Sequence, residues 1–136
     1  MTVPPSCTNC YSYATSTYTV FEDQVDWKTA RDNCYSIGGK LAELETKGEN
    51  DFIKNTLTVR NSSAADAYFL GGYKLNPSDG FRWISTPSQS WTFKDFGTDE
   101  PSNPTEMCLG SFLSIGFQWA DVPCDWLRSY ICEFSD

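Results

Sequence analysis

Six cysteines and no histidine in a chain of 136 residues limit the fold more than any other feature. So many cysteines in so short a chain argue for disulfides rather than zinc or catalytic thiols, and hence for an extracellular or secretory compartment. Without histidine there is no Ser-His-Asp or Cys-His catalytic set. The length allows one domain around a single core. Cys7 and Cys10 sit in a Cys-Thr-Asn-Cys stretch with neither the helix of a thioredoxin-type pair nor the further ligands of a zinc site. Two readings stay open for them, a local bridge or bonds to a second chain, with at least one interchain bond expected.

A net charge of −8 and a pI near 4.4 argue against nucleic acid and anionic membrane surfaces as partners. No apolar run is long enough to span a bilayer. Met1-Thr-Val-Pro-Pro lacks the basic and apolar regions of a signal peptide and is expected to stand where a leader has been removed. Asn61-Ser62-Ser63 is a glycosylation acceptor in a polar stretch, in keeping with secretion.

Residues 1–16 read as an N-terminal extension and 17–136 as the domain. Residues 18–21 alternate as a first strand. Asp26 is placed to cap a helix in which Trp27, Ala30, Arg31 and Cys34 share a face and which ends at Gly38-Gly39. Thr46 and Glu49 form a capping-box pattern that opens a second helix, with Phe52, Ile53 and Leu57 as its buried stripe. Strands are expected at 67–73, 81–84, 107–112, 117–121 and 130–134, with 40–44 as a short strand or connector. Between them, residues 85–105 form a long loop that Trp91, Phe93 and Phe96 would order by packing. High aromatic content, with five Trp, seven Tyr and nine Phe, fits a ring-rich core.

Residues 98–124 carry Glu100, Ser102, Glu106 and Asp121 among Pro101, Pro104 and Pro123. Calcium takes about six to eight oxygen ligands. Three carboxylates, one hydroxyl and nearby carbonyls fall slightly short of that, which leaves positions for a ligand's own oxygens. Acidic residues among prolines also describe an ordinary solvated loop. Two features separate this stretch from one: a Glu-Pro bond that can be cis at a cost of about 0.5–1 kcal/mol, and Glu106 two residues before Cys108, on the same face if strand alternation runs through both.

Two helices after an N-terminal strand, Phe69-Leu-Gly-Gly72, Phe81-Arg-Trp83, Glu100-Pro-Ser102, Glu106-Met-Cys108, Trp119-Ala-Asp121, Cys124 and Tyr130-Ile-Cys-Glu133 together resemble the C-type lectin domain over nearly the whole chain from Tyr18. The resemblance implies an α+β fold with two helices, antiparallel sheets and a long ordered ligand-binding loop. It implies the disulfides Cys34–Cys132 and Cys108–Cys124, one choice from the 15 connectivities open to six cysteines. It further implies a calcium ion held by Glu100, Ser102, Glu106 and Asp121 with Pro101 cis. Two vicinal hydroxyls of a terminal monosaccharide would complete the shell and contact the same four side chains. Ser102 stands where the family carries Asn or Asp, and Ala120 where it carries the first Asn of Trp-Asn-Asp. Losing both amides removes donors used in mannose-type recognition and favours galactose over mannose, with Phe112 or Phe117 able to cover the sugar's apolar face unless each is core.

The expected protein is therefore a secreted, calcium-dependent lectin. One shallow site would bind a monosaccharide at about mM Kd, near −4 kcal/mol, so avidity needs linked sites. A homodimer bridged through Cys7 and Cys10 would supply them. The rival class is a protein-interaction domain with a degenerate sugar site. A glycosidase using two of the carboxylates at about 5–9.5 Å is disfavoured, because a calcium-neutralised cluster offers no acid of raised pKa.

Overall fold

The computed structural model describes residues 9–60 and 65–135. Cys7 and Asn61 lie outside the described residues. The sheet runs β1 (Cys10–Tyr13), β2 (Ser16–Val25), β8 (Arg128–Ser135), β4 (Ala67–Tyr73), β6 (Cys108–Phe112), β7 (Gln118–Val122). Two short strands attach to it, β3 (Lys40–Leu41) on β8 and β5 (Arg82–Trp83) on β4. All pairings are antiparallel except β4 with β8. The sheet thus extends back to Cys10, into the segment read as an extension. Cys10 is disulfide-bonded within this single chain and has no thiol left for a second one.

Helix α1 (Trp27–Ser36) begins where expected, the Asp26 side chain accepting from the Thr29 N–H at 2.8 Å. Its two terminal glycines serve different needs. Gly38 has φ +88°, and a Cβ on Gly39 would come within 2.9 Å of the Glu133 carbonyl oxygen. Helix α2 (Lys47–Arg60) starts from Thr46, whose hydroxyl accepts from the Glu49 N–H and donates to the Glu49 carboxylate.

The helices cover opposite faces of the central strands. In β8, Tyr130, Cys132 and Phe134 pack with Trp27, Ala30 and Cys34 of α1, while Ile131 joins Ile53 and Leu57 of α2. Period-two alternation in β4 likewise sends Phe69 one way and Tyr68 and Leu70 the other. Both faces are buried, and β4 accordingly reads as an apolar run, while β8 carries Glu133 within it. Disulfides Cys34–Cys132 and Cys108–Cys124 close loops of 98 and 16 residues, as the resemblance implies. By chain entropy they stabilise by about 4.7 and 3 kcal/mol.

One buried polar residue of α2 escaped the sequence reading. Asn50 donates to Asp95 at 2.6 Å and accepts from the Trp119 indole N–H at 3.0 Å, joining the helix to both the long loop and β7. Asn50→Ala strands that indole donor in the core. The expected loss is about 1–3 kcal/mol, read as a lower urea midpoint with an unchanged slope.

Candidate functional site

The long loop is held on β7 by Trp119, which is fully buried. Trp83, Trp91, Phe93 and Phe96 meet its ring edge-on, with centroids 5.5–5.8 Å away and interplanar angles of 77–86°. Its backbone completes the clasp: the Trp119 N–H donates to Asp95 O and the Gly97 N–H donates to Trp119 O, both at 2.9 Å. Asp95 in turn accepts from Lys54, Asn50 and Gln118. Burial opposes its ionisation, and these three donors still hold its carboxyl below the usual range.

Asp121 lies two residues further along β7, on the face that carries Trp119. Its carboxylate is buried and accepts from the backbone N–H of Ser102 at 3.3 Å and of Asn103 at 2.7 Å. The strand therefore grips the loop immediately after Glu100–Pro101, whose peptide bond is cis. Asn103 then organises the next turn, its side-chain oxygen accepting from the Thr105 N–H and hydroxyl, and its carbonyl from the Glu106 N–H. Strand β6 starts at Cys108, so Glu106 is a loop residue positioned by this turn rather than by strand alternation. Glu100 is half-buried, with one carboxyl oxygen enclosed and lacking a hydrogen-bond partner. Pro101 and Ser102 are exposed.

The two rings weighed as a cover for the sugar, Phe112 and Phe117, take the core role that was the alternative for each. Phe117 is buried against Tyr68 in the core, and Phe112 packs on the α1 side of the sheet. Instead Phe81, Trp91 and Phe96 line a cavity of about 470 Å³ that Glu100 and Pro101 border. Sequence reasoning gave Trp91 and Phe96 a packing role only. Their spacing in a loop carries no periodicity that would place them next to Glu100.

The sequence profile described as Lectin C-type domain matches residues 23–134. The chain belongs to the C-type lectin domain family. It is 34% identical over 134 residues to C-type lectin domain family 4 member A of Rattus norvegicus, a match covering 95% of this chain and 51% of that protein. This chain spans about half the length of the curated relatives it matches first. Human lithostathine superposes with a TM-score of 0.85 at 24% identity, covering 100% of this chain and 97% of that one. The SPL-1–GlcNAc complex superposes with a TM-score of 0.82 at 25% identity, covering 96% of each. As a C-type lectin domain the protein is a binding module and not an enzyme, as the sequence reading held.

C-type lectin domains generally bind calcium, and the donor set here can be tested for fit. Among the described residues no three carboxylate, cysteine or histidine side chains stand close enough together to hold a metal ion as they are. The electrostatics nevertheless ask for a cation. Burial and the neighbouring Asp121 carboxyl raise the pKa of Glu100, with Ser102 offsetting part of the shift. Burial and the charges of Asp121 and Glu100 raise that of Glu106. The partnerless Glu100 oxygen is a further donor without a counterpart. Asp121 keeps spare lone pairs, since each carboxylate oxygen has two and accepts one N–H here. The residues fit a cation once drawn together. The glycosidase reading, already disfavoured for a calcium-neutralised cluster, also has no support from the family, whose members are carbohydrate-binding modules.

A carboxyl raised in the fold binds a proton that the unfolded chain has already released, so metal-free stability falls as pH rises from the ordinary carboxyl value through the folded one. Glu106→Gln removes one of the three repelling charges. In chelator at pH ~7 its melting temperature is expected to exceed that of the unmodified domain, and the gap should narrow on acidification as Glu100 and Glu106 take up protons. A lower melting temperature for the variant at neutral pH would show that the three charges do not repel.

Proposed function

We infer that this domain binds a terminal monosaccharide through a calcium ion held by Glu100, Ser102, Glu106 and Asp121, with galactose-type sugars preferred. The observation carrying this reading is the enclosed, partnerless oxygen of Glu100 beside Asp121, in a cluster where burial and neighbouring carboxyls raise the pKa of Glu100 and Glu106. A bound calcium ion would neutralise that repulsion and offer coordination positions to two vicinal hydroxyls. Glu100 and Glu106 accept hydrogen bonds from those hydroxyls. Asp121 keeps the Ser102–Asn103 backbone in place beneath them. Ser102 brings a hydroxyl that donates or accepts, and the Ala120 side chain brings no polar atom. Neither position has the amide donor that mannose-type recognition uses, which supports the galactose preference. Disulfides throughout the fold support display in an oxidising, extracellular setting. A disulfide-linked pair of copies is no longer part of the reading, because Cys10 is bonded within the chain.

One observation favours a second reading, a protein-interaction domain without a sugar site. Both carboxylate oxygens of Asp121 are engaged by backbone N–H groups of the loop, a structural role that stands apart from any metal ligation. A glycan array with and without chelator separates the two: signals lost on chelation support the lectin, whereas silence on the array together with calcium-independent protein capture supports the rival. On immobilised galactose the domain is expected to be retained in calcium and released by chelator. Glu106→Ala should weaken retention by about tenfold or more, ~1.4 kcal/mol. Retention should also fall on acidification, because calcium needs the ionised form of carboxyls whose pKa is raised.

A further inference from the structure

The chain carries ten Lys and Arg against eighteen Asp and Glu. Among the described residues, six of those cations lie within 4 Å of a carboxylate: Arg31, Lys40, Lys47, Lys54, Arg60 and Arg128. That leaves Lys28, Lys74, Arg82 and Lys94 without an ion pair. Three of these four, Lys74, Arg82 and Lys94, line the cavity beside Glu100 and Pro101. Like charges gathered without an ion-pair partner repel one another, a cost that neutral residues would avoid, and a cavity wall focuses their field.

The remaining lining adds chemistry to that charge. Lys74 sits 5.3 Å from the Phe81 ring centroid and donates to the Pro104 carbonyl, which ties it to the loop next to the proposed sugar site. Arg82 donates to the Phe81 carbonyl, and this fixes one end of its guanidinium. Trp91 stacks on Trp83 at 4.2 Å and its indole N–H is buried without a partner. Asp79 is the only carboxylate of the lining besides Glu100, and it already accepts from the Asn76 amide. At about 470 Å³ the space is within the range of roughly 300–1,000 Å³ typical of small-molecule sites.

We propose that this cavity is an anion subsite for an acidic saccharide, receiving a sulfate or carboxylate group carried by the glycan whose terminal sugar sits at Glu100. The inference rests on the calcium-dependent reading for the placement of the sugar, but not for the charge of the subsite. Lys74, Arg82 and Lys94 meet the anionic group, and the Phe81–Trp91 wall meets the ring that bears it.

The test titrates the whole domain in calcium with galactose, galactose 6-sulfate and a sialylated lactose, following tryptophan fluorescence and binding heat. At low salt one or both acidic sugars are expected to bind about tenfold more tightly than galactose, and whichever does so identifies the anionic group. The advantage should shrink as ionic strength rises, because Lys94 is solvent-exposed. Lys94→Glu, at an exposed position, and the pair Lys94→Glu with Arg82→Gln should cancel the advantage while leaving galactose binding and the melting temperature unchanged. Equal binding of neutral and acidic sugars, or an advantage that survives both variants, overturns the subsite and leaves the lectin reading intact. Acidic-sugar binding that is insensitive to chelator yet lost in the variants, with no galactose binding, sustains the subsite and overturns the calcium reading. No binding of any sugar overturns both.

Discussion

The arrangement of the ligand-binding region depends on one residue, Trp119. Its ring is the surface on which a long irregular loop packs, and its backbone N–H and C=O take up loop groups on both sides of Phe96. Such a loop would otherwise pay the full entropy of ordering without a hydrogen-bonded ladder to offset it. Three edge-on aromatic contacts and two backbone bonds replace that ladder. Asp121, on the same strand face, grips the chain a few residues later. A single short strand therefore fixes the loop at two points, and Glu100 and Pro101 lie between them.

The two halves of the domain solve opposite problems. Around α1 and β8, apolar side chains and the Cys34–Cys132 bond make a packed interior with little unpaired polarity. At the loop end, Glu100 and Glu106 stand near enough to Asp121 to feel its charge, and one Glu100 oxygen is left without a donor. An isolated domain with that arrangement is less stable at neutral pH than one without it. The repulsion is local and electrostatic, and it sits next to the aromatic clasp and Cys108–Cys124. This is the usual division between a scaffold selected for packing and a site selected for what it can bind.

Much of the fold could be read from the chain because local signals agreed. The Asp26 cap, the Thr46–Glu49 box and the apolar run at 67–73 each named an element that is present. Residues 10–13 did not read as a strand, since Cys-Tyr-Ser-Tyr gains its partner only from the hairpin with β2. Glu43 and Glu133, both buried, were invisible as core residues because their burial depends on long-range partners: the Ser85 N–H for one, the Ser16 hydroxyl and Glu43 N–H for the other. At the site, the motif residues were legible and the cis Glu100–Pro101 bond followed from the resemblance. The aromatic cavity was not, because what joins Phe81, Trp91 and Phe96 is contact across a loop and a strand, which no spacing encodes.

The two departures from the family's motif, Ser102 and Ala120, leave the loop's shape intact for a reason the hydrogen bonds make plain. Asp121 holds the loop through main-chain N–H groups at 102 and 103, so the grip is indifferent to the side chain at 102. Ala120 pairs with Gly110 in the β6–β7 register, and that pairing too is a main-chain matter. The exposed side chain at 102 is thus free to vary without loosening that grip, whereas Ala120 is buried in the strand. A loop fixed through backbone groups and a buried tryptophan can tolerate substitution at its exposed side chains without losing its shape.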